Sequence, residues 1–281
     1  MKTIGFVDYY ISEWHANNYP VWIKEICEKS GKDFEVKYAW AEEYVSPVDG
    51  RNTDEWCEAF GVTRCATLDE LCEKSDYIIV LSPSNPEKHF EYVKTVFKYK
   101  KNTYVDKTFA PDAATAKAIF DEAEKYGTNF FSSSALRYAT ELDSLVGAAT
   151  VMTVGGGGSL DEYIIHQAEM LVKLACARPT SVTATLKGKG QYILDVTFEG
   201  GKEGTMIYSN GFGFVVGVED KDGNPHYTSI DSDFFKYLLA DILRFFESGE
   251  SSFDTTETLY VMQLREAAVK ASREIGKKIV I

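Results

Sequence analysis

Two groups of residues have the types and spacing that proton chemistry needs. Lys107, preceded by Asp106, stands just past the apolar run NTYVD, at the end of what reads as a parallel strand. That edge of an α/β sheet is where ligands bind. A lysine starts near a pKa of about 10.4, so it accepts a proton only if burial or a nearby positive charge lowers that value. On position alone, a lysine in such a loop is more often a surface residue. Farther along, Glu162, His166 and Glu169 fall at i, i+4 and i+7 of a helix, so both carboxylates can share a face with the imidazole. Such an imidazole could bind or deprotonate a hydroxyl, although a lone helical histidine is more often packed or solvated. Metal chemistry is not indicated: His15, His89, His166 and His226 are widely separated, and no C-x-x-C or H-x-x-x-H spacing occurs.

The elements that must position these residues follow two rhythms. Up to residue 134, short β-rich runs (TIGFV, FEVKYAW, DYIIVLS, NTYVD, TNFFSSS) alternate with amphipathic stretches. Helices are predicted through NNYPVWIKEICEKS, near TDEWCEAFG, in TLDELCEKS, over 86–99 and over 112–126. That alternation implies a parallel sheet with right-handed crossovers, and the continuous apolar run YIIVL fits a strand buried on both faces. From 135 to 281 the order changes. A helix is predicted over 136–145, and the glycine run VGGGGS reads as a flexible link into a helix from about Glu162. Then SVTATLK, QYILDVTFE, EGTMIYS and FGFVVGVE follow one another with hairpin-type turns. Two helices close the chain, the second opening on a capping-box-like pair, Asp254 and Glu257. The fold class is therefore α/β: a Rossmann-like parallel sheet over 1–134 and an α+β domain with an open, mainly antiparallel sheet over 135–281.

Composition narrows the partners. The 281 residues carry 43 acids against 30 bases, a formal charge of -13, which disfavours nucleic acid and anionic membrane. The five cysteines are odd in number, and no basic segment followed by an apolar one opens the sequence, so the reading is free thiols in the cytoplasm. The apolar runs fall far short of the ~20 residues that cross a bilayer.

In five places, in order, the sequence resembles the glucose-fructose oxidoreductase and inositol dehydrogenase family, Gfo/Idh/MocA. They are DYIIVLSPSNPEKH, VDKTFAPDAATAKAIFDEAEKYG, SALRYA, LDEYIIHQAEM and LREAAVKASREIGKK. The resemblance implies NAD or NADP as coenzyme and oxidation of a secondary alcohol on a sugar, cyclitol or related polyol. It also implies a homodimer or homotetramer formed through the C-terminal sheet. Lys107 matches the lysine of the family's Glu-Lys-Pro motif, with Asp106 and Thr108 as its neighbours here. Glu162 and His166 match the family's Asp and His, one orienting the other beside the substrate. Arg137 and Tyr138 match a family Arg-Tyr or Arg-Phe pair, and Tyr163 joins them as a substrate contact. Arg137 would clamp a carboxylate or hydroxyls, or form an inter-domain salt bridge.

The coenzyme side departs from the family. The glycine-rich G-x-G-x-x-G/A segment corresponds to Asp8, Tyr9, Tyr10 and Ile11, one residue shorter. An acid and two rings there would crowd the pyrophosphate. Trp40 ends the second strand where an acid often binds the ribose, with Glu42 and Glu43 close behind. Ser82, Pro83, His89, Asp106 and Lys107 complete the expected coenzyme set, Pro83 and His89 lying two residues farther apart than in the common pattern. Two functions remain open: an oxidoreductase with a modified NAD(P) site, or a non-catalytic sugar-binding or regulatory protein that has lost the dinucleotide.

Overall fold

The computed structural model describes all 281 residues, Met1–Ile281. In chain order the first elements are β1 (Lys2–Tyr10), α1 (Trp14–Ser30), β2 (Phe34–Glu43), α2 (Thr53–Phe60), β3 (Thr63–Arg64), α3 (Leu68–Lys74) and β4 (Tyr77–Val80). They continue with α4 (His89–Val96), β5 (Thr103–Val105), α5 (Ala113–Tyr126) and β6 (Phe130–Phe131). The second series is β7 (Thr150–Gly155), α6 (Leu160–Ala175), β8 (Pro179–Lys187), β9 (Gln191–Phe198), β10 (Glu203–Tyr208), β11 (Val215–Glu219) and β12 (Pro225–Ser229). Then come α7 (Phe234–Ser248), α8 (Thr256–Arg273) and β13 (Lys278–Val280). The chain divides into two compact units, Met1–Ser133 with Leu238–Phe253, and Ser134–Tyr237 with Asp254–Ile281.

The first unit is a six-stranded, wholly parallel sheet in the order β3-β2-β1-β4-β5-β6, the doubly wound Rossmann arrangement. Its strands are apolar because helices cover both faces; Ile78, Ile79 and Val80 are fully buried. Gly5 in β1 serves this packing. A Cβ there would meet Ser75 Oγ at 2.3 Å and Leu71 at 2.7 Å, so the glycine lets α3 close onto the sheet. The helices begin and end on ordinary signals, such as the Asn52–Glu55 capping box of α2 and the left-handed Gly127 after α5. Most of α7 belongs here too. Phe246 stacks on Tyr77 with centroids 4.8 Å apart, Phe245 meets Phe131 edge-on, and Asn102 Nδ2 donates to Phe246 O at 3.0 Å. Burying each phenylalanine contributes about 1.5–3 kcal/mol.

The second unit is a seven-stranded sheet in the order β12-β11-β7-β10-β9-β8-β13, antiparallel except for the β7–β10 pair. The helices α6 and α8 cover one face. Gln167 of α6 is fully buried and fully used: Oε1 accepts from Thr153 Oγ1, and Nε2 donates to Gly155 O and Ile207 O. Three differences from the sequence reading have local causes. The stretch predicted as a helix over 136–145 is two 3-10 segments, Ala135–Tyr138 and Thr140–Leu145, parted by the extended backbone of Ala139. The glycine run is closely packed, since a Cβ on Gly156 would stand 2.1 Å from Ser209 O. A last strand, β13, follows the closing helices and pairs with β8. No helix is long and apolar enough to cross a membrane.

Candidate functional site

In the Rossmann unit the sheet's C-terminal edge collects Asp8, Ser82, Asp106 and Lys107. Asp106 follows β5 and is buried. Its Oδ2 meets His15 Nδ1, while Oδ1 accepts from Lys107 N at 2.8 Å and Tyr104 Oη at 3.1 Å. Burial opposes its ionisation, but the neighbouring His15 and the charge and backbone N–H of Lys107 outweigh that and hold the carboxyl below its usual range. His15 in turn stacks on Tyr19, centroids 5.1 Å apart and rings 7° from parallel. Lys107 therefore stands on a rigid footing. Its side chain is half-buried, and the peptide bond to Thr108 is cis.

Asp8 does not sit where the sequence suggests. Because β1 runs on through Tyr10, Asp8 is a strand residue, 1 % exposed, and not part of the turn. Its Oδ1 accepts from Tyr9 N, Ser82 N and Ser82 Oγ, tying the end of β1 to the left-handed Ser82 (φ 63°) after β4. Its Oδ2 has no hydrogen-bond partner. Burial, then the charge of Glu13, raise its carboxyl well above the usual range despite those three bonds. Ile11 is a core residue. His89 is fully buried, its ring nitrogens meeting Phe109 O and Leu81 O, and burial keeps its pKa below the ordinary value. Asp8, Ile11 and His89 thus serve the fold, whereas Tyr9, Tyr10 and Pro83 are half-buried at the edge.

The turn itself is Ile11, Ser12 and Glu13, and Glu13 was not singled out by the sequence. It is the N-cap of α1: its carboxylate accepts from His15 N at 2.8 Å and Ala16 N at 2.5 Å. In a dinucleotide site the pyrophosphate takes such N–H groups at the first helix. Here a buried side chain of the same protein holds them. At the end of β2, Glu42 accepts from Lys88 Nζ and Tyr92 Oη, each at 2.7 Å, and Lys88 Nζ lies 5.1 Å from the Tyr9 ring centroid. With the helix donors taken and Asp8 Oδ2 orphaned close by, this conformation of the turn does not fit a pyrophosphate.

In the second unit, α6 carries His166. Its Nδ1 is 2.7 Å from Ser134 Oγ, with the direction of donation set by the tautomer, and its ring meets Tyr163 and Phe214 edge-on at 5.6 and 5.8 Å. Ser134, which the sequence did not single out, is thus the side chain that orients it. Glu162 is exposed, and Glu169 turns away to Arg137. Arg137 is 6 % exposed; its Nε donates to Glu169 Oε1 at 2.5 Å and its Nη2 to Glu257 Oε2 at 2.6 Å, both within this unit. Glu257 is accordingly an ion-pair partner and not the capping residue of α8, whose first turn takes Asp254 Oδ1 at Thr256 N. Tyr138 and Tyr163 are half-buried; the Tyr163 ring packs on Gly157 and Gly158.

Residues 41–133, from the end of β2 through β6, match the Gfo/Idh/MocA model, described as an oxidoreductase family with an NAD-binding Rossmann fold. That segment is similar to the Gfo/Idh/MocA family. It contains Ser82, Pro83, His89, Asp106 and Lys107, while β1 and α1 lie outside the match. Among curated proteins no significant match is found. Solved structures of dehydrogenases and oxidoreductases share the fold of the whole chain. A myo-inositol dehydrogenase from Lactobacillus casei, in complex with NAD(H) and myo-inositol, is 12% identical with a TM-score of 0.79, covering 100% of this chain and 96% of that one. A probable dehydrogenase from Thermotoga maritima is 15% identical with a TM-score of 0.77, covering 99% and 98%. An aldose-aldose oxidoreductase from Caulobacter crescentus, complexed with glycerol, is 15% identical with a TM-score of 0.74, covering 100% and 99%.

Proposed function

We propose that the chain is an NAD(P)-dependent oxidoreductase acting on a secondary alcohol of a sugar, cyclitol or related polyol. The observation that carries this reading is Lys107, held after β5 on the buried His15–Asp106 pair within the Gfo/Idh/MocA segment. In this role Lys107 takes the hydroxyl proton, and His166, oriented by Ser134, is a separate candidate for hydrogen-bonding a substrate hydroxyl. Tyr138, Tyr163 and Glu162 supply further hydroxyl contacts, while Arg137 braces the segment through its two carboxylates. The cyclitol and glycerol named with two of the structural neighbours support a polyhydroxylated substrate. A second copy of the chain is proposed to cover the open face of the seven-stranded sheet, where Met152 and Tyr227 are exposed.

A second reading, a polyol-binding protein without turnover, is favoured by one observation, the Glu13 carboxylate on the N-terminus of α1. A panel of cyclitols, aldoses and alditols, each assayed with NAD and with NADP for reduced-nicotinamide absorbance, separates the two. Turnover of any member supports the oxidoreductase. Polyol binding by calorimetry with no turnover supports the second reading.

A further inference from the structure

We infer that Glu13 is an internal stand-in for the coenzyme's pyrophosphate, so that a dinucleotide seats at the first helix only by displacing this carboxylate. The inference rests on the oxidoreductase reading and adds a regulatory device to it. A helix N-terminus favours anions because its first N–H groups lack intrahelical partners and point at whatever lies ahead of them. In α1 the His15 and Ala16 N–H groups point at Glu13 Oε2 and Oε1. Caps of this kind are normally short: serine, threonine, aspartate or asparagine. Glutamate instead puts a full, two-oxygen anion on the donors, as a phosphate would.

Two further observations, independent of the cap, point the same way. Asp8 is 1 % exposed with Oδ2 unpartnered, so a second carboxyl group is already buried at the end of β1. A pyrophosphate added there would meet the Glu13 carboxylate in a poorly solvated space, which costs several-fold more than the same contact in water. Across the sheet edge, Glu42 occupies the end of β2, where an acid of a dinucleotide site binds the adenosine ribose. Its two oxygens are taken by Lys88 and Tyr92. Both groups of this edge that a dinucleotide would use thus have internal partners. The turn is also anchored, Ser12 Oγ donating to Asp49 Oδ2 and Ser46 Oγ donating to Ser12 O. Freeing the donors therefore takes a swing of the Glu13 side chain and leaves the backbone in place.

The test is titration of NADH and of NADPH into the full-length protein and into Glu13→Asn. Asparagine keeps a good N-cap while removing the anion. Glu13→Gln, which keeps the length, is the second variant should Glu13→Asn fold poorly by circular dichroism. The expected result is binding at least about tenfold tighter in either variant than in the parent, the scale of one charge-assisted contact. Equal, tight binding by parent and variants would overturn the inference and leave the oxidoreductase reading intact. Binding by none of the three would overturn both. Tighter binding by a variant that still oxidises no polyol supports the inference and counts against the activity. A crystal structure with NADH would also overturn it if Glu13 still bonded the His15 and Ala16 amides beside a seated pyrophosphate.

Discussion

The His15 imidazole and the Asp106 carboxylate form a buried pair immediately before Lys107. The other Asp106 oxygen holds the Lys107 backbone, so the pair sets where the lysine begins. His15→Phe preserves a ring over Tyr19 but strips Asp106 of its partner. Breaking a buried pair by removing one member costs roughly 3 kcal/mol, and the expected loss in urea denaturation is of that order. Asp106 lies below its usual range, so its contribution is present at neutral pH and lost as pH falls through its folded value. In His15→Phe the folded value should rise toward the unfolded one, so that loss should be smaller and complete at a higher pH. An unchanged acid limb would show that other groups hold the Asp106 charge.

Lys107 is half-buried and linked to the fold through its backbone, so its side chain can be changed with little effect on stability. Lys107→Met should leave the melting temperature near that of the parent while lowering kcat about 10²-fold or more. A variant that melts normally and turns over normally would remove the lysine from the proton transfer.

Ser134 positions His166 and touches no reacting atom in this scheme. Ser134→Ala removes one neutral hydrogen bond, worth ~1 kcal/mol, and should lower kcat/KM between about threefold and tenfold. Ser134→Thr, which keeps the hydroxyl, should restore most of it. Equal losses in the alanine and threonine variants would indicate packing instead.

How far the residues could be read alone follows from how local their partners are. The apolar run of β4 and the lysine after β5 carry their meaning within a few residues, and the structure makes β4 a buried inner strand and sets Lys107 past the C-terminal end of β5. The partners of Arg137 are 32 and 120 residues away, and Glu257 looked like a cap because Asp254 stands three residues before it. His15 showed no role, since its partner lies 91 residues on. The Asp8 turn was misplaced for a related reason. Tyr9 and Tyr10 extend β1 beyond the length that glycines would have ended, which moves the helix start to Trp14 and brings Glu13, not Asp8, to its N-terminus.

Asp8 itself gives a stability prediction with a definite sign. Its carboxyl is buried, one oxygen serving Tyr9 and Ser82 and the other serving nothing, and burial with the Glu13 charge raises its pKa. A carboxyl raised in the folded state favours folding when protonated, so its benefit is complete below the unfolded value of about 3.9. That benefit drains away as pH rises through the folded value, because the native state must then hold a charge the unfolded chain would solvate. Asp8→Asn keeps an acceptor for Tyr9 and Ser82 and cannot ionise. It should therefore be more stable than the parent at neutral pH by about 1 kcal/mol or more, each tenfold displacement of the proton equilibrium being worth ~1.4 kcal/mol. Thermal melts from about pH 4 to about pH 8 should show the parent losing stability more steeply with rising pH than the variant. Parallel curves, or an asparagine variant less stable at neutral pH, would show that Asp8 is held as a charged group after all.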